Sequence, residues 1–336
     1  MIIYSDMNIL LTGGAGFIGS HVVHLLSKRE TVRHIVVVDK LDYCASIKNL
    51  PLDCDKVTFV KGDVQSMDLI SHLLTAFKVT HVLHFAAQTH VDNSFGNSIA
   101  FTMNNTLGTH NLLEACRKYG LLEKFVNVST DEVYGDASAH SATGLVENDL
   151  LLPTNPYSAA KAGAEMLCNA YKTSYNMPII ITRGNNVYGP NQFPEKLIPK
   201  MILLGKLSKP LPVHGPGTAL RSYLYVTDVA EAFGIILHQG EIGAIYNIGS
   251  SIEQSVFNIA TEIGVTFGVP VEHVRDRAFN DSRYFIGSEK LEALGWAPKV
   301  SWSDGLAATI DWYMNADLDG HWPHWRNFLG AHPEPI

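Results

Sequence analysis

A glycine-rich turn near the start of the chain constrains the fold more than any other feature. The short apolar run Asn8-Ile-Leu-Leu-Thr12 is followed directly by Gly13-Gly-Ala-Gly16-Phe-Ile-Gly19, which opens a helical stretch. This order predicts a buried strand, a tight turn and a helix. Glycines let the backbone approach a pyrophosphate, which then lies on the N-terminus of the helix. Because a purely structural turn has the same composition, the glycines alone are weak evidence for a dinucleotide site.

Further apolar runs alternate with helical patterns along the first half of the chain. The candidate strands, which include β-branched runs, are 34–39, 57–61, 81–85, 124–129 and 178–182. Helical patterns separate most of them, for example over 106–118 and 158–175. Near-continuous apolar strands alternating with helices indicate a parallel sheet covered on both faces. The predicted fold class is therefore α/β, a Rossmann-type doubly wound parallel sheet with a smaller C-terminal substrate-binding domain.

The second strand ends in an acidic residue that strengthens the cofactor prediction. Asp39 stands about 20 residues after Gly19, where a carboxylate binds the hydroxyls of the adenosine ribose. A carboxylate at this place would repel a 2′-phosphate, so NAD is preferred to NADP, and only the neighbouring Lys40 argues against this choice. Asp63 could reach the adenine edge, but an aspartate that caps its own loop is an equal alternative.

The composition excludes several classes of protein. The chain has 336 residues, of which 46% are hydrophobic and 17% charged, enough for one large α/β domain or a large and a smaller one. Its formal net charge of −8 argues against a general nucleic-acid or membrane surface. No apolar run reaches membrane-spanning length and no signal peptide precedes the first strand, so we expect a cytoplasmic protein.

Cysteines and histidines show no pattern of their own. The four cysteines have no Cys-x-x-Cys spacing, which is typical of reduced thiols in a reducing compartment. The pairs His21/His24 and His321/His324 lack convergent partners, so no metal site is predicted.

The sequence pattern changes after Arg183. Glycines and prolines are dense over 184–217 and break the regular alternation, which marks loops and short elements. We expect an NAD-binding Rossmann domain over 7–183, to which a segment of about 223–250 returns, and a mainly substrate-binding domain over 184–325. The tail from Asp317 resembles a surface extension.

Tyr157 and Lys161 lie four residues apart on a predicted helix and therefore share a face. A nearby ammonium lowers the pKa of a phenol toward the operating pH, and it can also bind ribose hydroxyls. An isolated Tyr-x-x-x-Lys pair is common on ordinary amphipathic helices. The preceding Ser129-Thr130 at the end of a strand, together with the glycine turn, favours hydride transfer at a sugar or alcohol carbon.

The adjacent acids Asp131 and Glu132 indicate more than hydride transfer. Moving a hydride needs one proton acceptor, whereas two extra carboxyls fit removal of a proton from carbon and protonation of a leaving group, which is elimination. Most Asp-Glu dipeptides are solvated, but this pair follows a strand at the edge where open α/β sheets bind ligands. Two neighbouring carboxyls also repel, which favours one protonated acid beside one ionised base.

Together these motifs resemble a known family. Gly-Gly-Ala-Gly-Phe-Ile-Gly, Ser-Thr-Asp-Glu-Val-Tyr-Gly and Tyr-Ser-Ala-Ala-Lys are similar to the extended short-chain dehydrogenase/reductases, and among these to the nucleotide-sugar 4,6-dehydratases, over about 8–313. The Thr-Asp-Glu triplet separates the dehydratases from related 4-epimerases and decarboxylases. Segments 90–98 and 182–190 further resemble the UDP-glucose 4,6-dehydratase domain of plant-type rhamnose synthases. The epimerase/reductase half of those synthases is not expected here, which leaves the end product open.

The resemblance implies a role for each catalytic residue. Tyr157, assisted by Lys161, would deprotonate the C4 hydroxyl of glucose while its hydride passes to NAD, and Thr130 would hydrogen-bond that oxygen. Glu132 would take the C5 proton, and Asp131 would protonate the departing C6 hydroxyl. Return of the hydride to C6 would leave a 4-keto-6-deoxy sugar, which makes the expected enzyme a hydro-lyase.

The resemblance also implies two sets of binding residues. The cofactor set is Gly13, Gly16, Phe17, Ile18, Gly19, Asp39, Lys40, Asp42, Asp63, Val64, Phe85, Ala86, Ala87, Tyr157 and Lys161. The substrate set is Thr89, Asn186, Lys196, Leu197, Arg221, Asn247, Arg277 and Asn280. Arg221 is suited to a diphosphate because its fork of donors matches paired oxygens. Arg277 and Asn280 match less closely, because Ala278 replaces the family proline.

Several alternatives stay open at this point. The plant-type segments favour UDP-glucose, with dTDP-glucose 4,6-dehydratase as the alternative. A 4-epimerase of the same fold is disfavoured by Asp131-Glu132, and a catalytically silent dinucleotide sensor would not need those acids together with Tyr157 and Lys161. The resemblance also implies a homodimer through helices around 100–118 and 158–175.

Overall fold

A seven-stranded sheet forms the centre of the protein. The structure, a computed structural model, describes residues 6–138, 144–276 and 281–330. Its strands are β1 (Met7–Thr12), β2 (Val32–Asp39), β3 (Val57–Lys61), β4 (His81–His84), β5 (Lys124–Thr130), β6 (Ile179–Gly184), β7 (Asn186–Tyr188), β8 (Leu211–His214), β9 (Leu220–Tyr225), β10 (Ile245–Ile248), β11 (Glu253–Ser255), β12 (Val271–Val274) and β13 (Arg283–Tyr284). The central sheet has the order β10-β6-β5-β4-β1-β2-β3, and every neighbouring pair is parallel.

Helices cover both faces of this sheet. They are α1 (Phe17–Ser27), α2 (Met67–Ala76), α3 (Val91–Gly96), α4 (Ser98–Phe101), α5 (Gly108–Tyr119), α6 (Pro156–Tyr175), α7 (Leu197–Lys206), α8 (Val226–Gln239), α9 (Val256–Phe267), α10 (Glu289–Glu292), α11 (Trp302–Asn315) and α12 (Leu318–His321). One face of the sheet packs against α1 and α8, and the other against α2, α5 and α6. This confirms the predicted Rossmann-type doubly wound fold.

Alternating side chains of each central strand supply the two cores. In β1, Ile9 and Leu11 join the core beneath α1 and α8, whereas Leu10 joins the core beneath α2 and α5. Strands buried on both faces must be apolar almost throughout, which is why β2 carries the run Ile35-Val-Val-Val38. The order of the strands reverses between β1 and β4, so the carboxyl ends of these two strands frame a crevice.

The helix predicted over 106–118 is not regular. A π-helix spans Thr102–Leu107, and α5 begins only at Gly108. A single wide turn of this kind rearranges the side chains that precede α5, and such turns occur often at functional sites. The helix predicted over 158–175 begins slightly earlier, at Pro156, because Asn155 and Ser158 form a capping box.

The later part of the chain builds a second layer beside the crevice. Strand β9 pairs with β11, β13 and β7, and β8 pairs with β12. Strand β10 pairs with β6 of the central sheet. The division into an NAD-binding and a substrate-binding domain stays a prediction.

The tail from Asp317 is not the surface extension that we expected. Leu318, Trp322, Trp325 and Leu329 are buried in the core formed with α7, α9 and α11. Burial of large aromatic side chains is strongly favourable, which explains why this tail packs against the core although it also contains polar residues. Among the helices of the described ranges, none has both the length and the apolar character needed to cross a membrane.

Candidate active site

A first pocket opens at the carboxyl ends of β1, β2 and β4, where the strand order reverses. All of the expected cofactor residues line it: Gly13, Gly16, Phe17, Ile18, Gly19, Asp39, Lys40, Asp42, Asp63, Val64, Phe85, Ala86, Ala87, Tyr157 and Lys161. Gly13 has φ of +71°, and a Cβ there would lie 2.5 Å from the backbone nitrogen of Ala86. Only glycine can make this turn at so close an approach. We name this the cofactor pocket.

The acidic end of β2 fits NAD. Asp39 accepts hydrogen bonds from the backbone nitrogens of Ala15 at 3.1 Å and Leu41 at 2.8 Å, which leaves each oxygen a lone pair for a ribose hydroxyl. Burial raises the pKa of Asp39, and these two hydrogen bonds oppose that shift. The ammonium of Lys40 lies 2.9 Å from Asn104 Oδ1 and 3.0 Å from Asp42 Oδ2. Because these partners hold the ammonium of Lys40, it is less available to bind the 2′-phosphate of NADP.

Tyr157 and Lys161 lie one helical turn apart on α6 in the wall of the cofactor pocket. Lys161 Nζ donates to the carbonyl oxygen of Val128 at 2.5 Å, and burial lowers the pKa of Lys161 to about 8. The pKa of Tyr157 is raised by burial and by the charge of Glu132, while a hydrogen bond with Thr130 opposes the rise. Our expectation of a lowered phenol pKa is therefore wrong for the protein by itself, because desolvation outweighs any effect of the lysine.

The acid pair lies where β5 ends and a short 3-10 helix, Asp131–Tyr134, begins. Thr130 Oγ1 donates to Asp131 Oδ1 at 3.1 Å, and Asn185 Nδ2 donates to Asp131 Oδ2 at 2.6 Å. Glu132 Oε2 accepts from Asn155 Nδ2 at 3.2 Å. Each carboxyl therefore has its own amide partner: Asn185 directly follows β6, and Asn155 is the N-cap of α6.

These environments separate the two acids electrostatically. Burial raises the pKa of Asp131 to about 6, although the hydrogen bonds from Asn185 and Thr130 favour its ionised form. Burial and the charge of Asp131 raise the pKa of Glu132 to about 7. Both carboxyls thus titrate close to neutral pH, where proton transfer in either direction is efficient.

A second pocket adjoins the first and receives Glu132 and Asn155 in its wall. Five of the expected substrate residues line it, namely Thr89, Asn186, Lys196, Leu197 and Arg221. Arg221 donates to the carbonyl oxygen of Asp281 at 2.9 Å, and its guanidinium lies 4.4 Å from the centre of the Tyr284 ring. We name this the substrate pocket. It shares a wall with the cofactor pocket, formed by Thr89, Glu195 and Lys196.

Of the remaining substrate residues, Asn247 is not brought to this pocket. Asn247 is fully buried: it accepts from the Tyr134 hydroxyl at 2.9 Å and donates to the carbonyl oxygen of Leu145 at 3.1 Å. Its side chain thus belongs to a structural network that also includes Arg183, which donates to the Tyr134 hydroxyl at 2.7 Å. Arg277 and Asn280 lie outside the described residues.

Sequence reasoning missed the residues that hold the shared wall. Tyr43 donates to Glu195 Oε2 at 2.8 Å, and Phe328 stacks on Tyr43 with ring centres 5.3 Å apart and planes at 5°. No local pattern joins Tyr43 to Glu195, because 152 positions separate them. The partner of Asp131 did leave a signal, since Asn185 directly follows β6 and parallel strands end at one edge.

Comparison with known proteins agrees with this site. The parallel sheet with a glycine turn after β1 and a Tyr-x-x-x-Lys pair on α6 is typical of the extended short-chain dehydrogenase/reductases, and the Thr-Asp-Glu triplet is typical of the dehydratases among them. The model of one family within that class, described as GDP-mannose 4,6 dehydratase, matches residues 10–309. The chain belongs to this family.

Three relatives have informative names. The chain is 54% identical to the Arabidopsis thaliana trifunctional UDP-glucose 4,6-dehydratase/UDP-4-keto-6-deoxy-D-glucose 3,5-epimerase/UDP-4-keto-L-rhamnose-reductase RHM3, over 100% of this chain and 51% of that protein. It therefore spans about half the length of that relative. Human dTDP-D-glucose 4,6-dehydratase is 43% identical over 98% of this chain and 95% of its own. The crystal structure of DesIV, a dTDP-glucose 4,6-dehydratase from Streptomyces venezuelae with NAD and TYD bound, superposes with a TM-score of 0.89 at 36% identity, covering 95% of this chain and 100% of that chain.

Proposed function

We propose that this chain is an NAD-dependent hydro-lyase that converts a nucleoside-diphosphate glucose, UDP-glucose, into its 4-keto-6-deoxy derivative. The observation that carries the proposal is the position of the acid pair. Glu132 lies in the wall of the substrate pocket, and Asp131 lies beside Thr130, which bonds Tyr157 of the cofactor pocket. A proton acceptor for oxidation and two carboxyls for elimination thus lie close enough for their charges to interact.

The roles of the residues follow from their environments. NAD, when bound in the cofactor pocket, supplies the hydride acceptor. Tyr157 takes the proton of the C4 hydroxyl in its phenolate form, which the positive charge of Lys161 beside it favours, and Thr130 bonds the same oxygen. Oxidation at C4 acidifies the C5 proton, which Glu132 accepts. Asp131 protonates the C6 hydroxyl, which leaves as water. The hydride returned to C6 would restore the redox balance, and Glu132 gives a proton back to C5.

The choice of reaction rests on Asp131 and Glu132 being held separately. A 4-epimerase needs the acid–base group at C4 but no carboxyls for elimination, and a silent sensor needs neither. The separate amide partners, Asn185 for Asp131 and Asn155 for Glu132, keep two distinct titrating groups at neutral pH. Two groups with different tasks are what proton removal and proton donation require.

The nucleotide is supported by similarity rather than by contacts. The relative at 54% identity is named as a UDP-glucose 4,6-dehydratase, whereas the human and Streptomyces proteins are named as dTDP-glucose 4,6-dehydratases. The substrates differ by a ribose 2′-hydroxyl and a base methyl. A pocket gains only about 1–3 kcal/mol from a methyl but rejects a missing hydroxyl more strongly.

The test is an assay of the purified chain with both nucleotide sugars. We expect a 4-keto-6-deoxy product and a kcat/KM for UDP-glucose above that for dTDP-glucose. A preference for dTDP-glucose would overturn the choice of nucleotide alone. Release of a C4 epimer, or NAD binding without turnover, would overturn the dehydratase.

We propose further that the protein is a cytoplasmic homodimer. Phe95, Ile99, Met103 and Met166 are between 41% and 75% exposed on α3, α4, the π-helix and α6, elements that pack beside one another. Exposed apolar side chains on adjoining helices are typical of an interface. Light scattering after gel filtration should give twice the chain mass, and Ile99→Glu should give the monomer. A wild-type monomer would contradict the proposal.

A further inference from the structure

The segment that leaves β4 borders both pockets. Residues 85–89 line the cofactor pocket, and the last of them, Thr89, also lines the substrate pocket. Close beneath this segment lies His84, the final residue of β4, which is only 2% exposed. The mechanism above uses none of its atoms.

A chain of hydrogen bonds fixes the protonation of His84. Thr109 Oγ1 donates to the carbonyl oxygen of Asn105 at 2.6 Å, which uses its only proton. The contact of 3.0 Å between Thr109 Oγ1 and His84 Nε2 must therefore have the histidine as donor. Nδ1 of a neutral ring is then an acceptor, so Thr12 Oγ1 donates to it at 2.7 Å. Thr12 in turn accepts from the Ala86 backbone nitrogen at 3.3 Å.

The neutral ring is also the one that burial favours. Burial, with a smaller contribution from the nearby charge of Lys161, lowers the pKa of His84 to about 3. A protonated ring would place a second donor against Thr12, which already accepts from Ala86. The hydrogen bonds and the electrostatics thus agree on a neutral imidazole that carries its proton on Nε2.

At its other end, the chain of hydrogen bonds holds the segment 85–89 a second time. Asn105 Oδ1 accepts from the Gln88 backbone nitrogen at 2.8 Å, and Asn105 Nδ2 donates to the Gln88 carbonyl oxygen at 2.9 Å. Asn105 lies in the π-helix, whose wide turn precedes Thr109 by one turn. His84 therefore joins two anchors, one at Ala86 through Thr12 and one at Gln88 through Thr109 and Asn105.

We propose that His84 is a positioning residue that fixes the segment after β4 against the glycine turn, and so sets the width of the cofactor pocket. The tolerance there is small, because a Cβ on Gly13 would lie 2.5 Å from Ala86 N and 2.8 Å from Phe85 C. Only a side chain that accepts from Thr12 and donates to Thr109 at once can hold both anchors. The inference rests on the proposed function in that NAD is the occupant of the pocket.

The test compares NAD retention by the full chain after gel filtration, together with the dissociation constant for added NAD. His84→Leu should weaken NAD binding by about 10-fold or more, since two buried hydroxyls lose a partner. His84→Gln should stay within about 3-fold of the wild type, because one amide accepts and donates. His81→Leu is the matched control: His81 is buried in the same strand, but within the described residues its ring hydrogen-bonds only to Thr80 next to it.

Two further measurements keep the outcome decisive if His84→Leu does not fold. Thr109→Val should lose NAD affinity while Thr109→Ser keeps it, and the nitrogen chemical shifts of His84 in the wild type should show the neutral Nε2–H form. An Nδ1–H form or an imidazolium at neutral pH would overturn the inference. So would normal NAD binding by folded His84→Leu, or equal losses in the Gln and Leu variants. A wild-type chain that binds no NAD would instead contradict the proposed function.

Discussion

The cofactor pocket and the substrate pocket share a wall but are built in different ways. The cofactor pocket is framed by the glycine turn, by small residues after β4 and by Asp39, all within short distances of strand ends. The substrate pocket gathers side chains from the N-cap of α6, from β7 and β9, and from the loops after β8 and β12. Backbone shape therefore dominates the first pocket, and the placement of buried charges dominates the second.

This difference has an energetic consequence. A pocket shaped by glycines and alanines strains little when it is empty. A pocket that buries Asp131 and Glu132 loses part of the hydration of two carboxyls, and the raised pKa of each reports that cost. Substitutions in the glycine turn should consequently act on cofactor retention and substitutions of the acid pair on chemistry, with different effects on stability.

The largest expected effects distinguish oxidation at C4 from the later elimination. Tyr157→Phe should abolish turnover without any near-ultraviolet absorbance from enzyme-bound reduced NAD, because C4 is not oxidised. Asp131→Asn should still form reduced NAD from substrate but turn over about 10²–10⁴-fold more slowly, since the acid is missing. Rapid mixing with nucleotide sugar checks both. If the two variants lacked the absorbance equally, the assigned roles would be wrong.

A methyl group in the glycine turn should break the cofactor pocket selectively. Gly13→Ala combines a positive φ with a Cβ 2.5 Å from Ala86 N, at a cost of about 2–4 kcal/mol. We expect NAD affinity to fall by roughly 30-fold or more. Gly268→Ala is the control, because it also has positive φ but nothing lies within 4 Å of its Cβ. Equal NAD affinity in the two variants would show that close approach is not the reason for Gly13.

The burial of the Glu132 carboxyl in the substrate pocket should make the free energy of unfolding depend on pH. The pKa of Glu132, about 7 in the folded protein, lies above the ordinary glutamate value of 4.5. The wild type therefore loses stability as the pH rises between these values, because the carboxyl must ionise where it is partly desolvated. Glu132→Gln cannot ionise, so at a pH of about 8 its free energy of unfolding should exceed that of the wild type by about 2 kcal/mol.

Urea denaturation at pH values of about 8 and 4 measures this difference, which should vanish at the lower value. Glu30→Gln, at an exposed site, serves as the control and should show no comparable change. A stability gain that is the same at both pH values would contradict the burial of the charge.

The smallest expected effect concerns the wall between the pockets. Phe328→Ala removes the ring stacked on Tyr43, and an aromatic pair contributes about 0.5–1.5 kcal/mol beyond its buried area. NAD should be lost roughly 2–10-fold faster, because Tyr43 borders the cofactor pocket. Phe257→Ala removes a similar stack, on His273, away from the cofactor pocket, and should leave NAD release unchanged. If both variants released NAD alike, the tail would have no part in the site.

How far the sequence predicted each pocket follows from this contrast. The glycine turn, Asp39 and the residues after β4 could be placed because each follows directly from a strand end, and the ends of parallel strands meet at one edge. The lowered pKa expected for Tyr157 failed because burial and the charge of Glu132 depend on tertiary packing. Asn247 was expected at the substrate, but its side chain is turned toward Tyr134, a choice that no local pattern encodes.

The central claim is that the acid pair performs an elimination inside one active site. Turnover of UDP-glucose in heavy water, followed by mass and nuclear magnetic resonance analysis of the early product, tests it most directly. We predict deuterium at C5, delivered through Glu132, and at C6 the hydrogen that began at C4 of the same sugar. Hydrogen at C6 that came from solvent or from added labelled NADH, with no deuterium at C5, would contradict the claim.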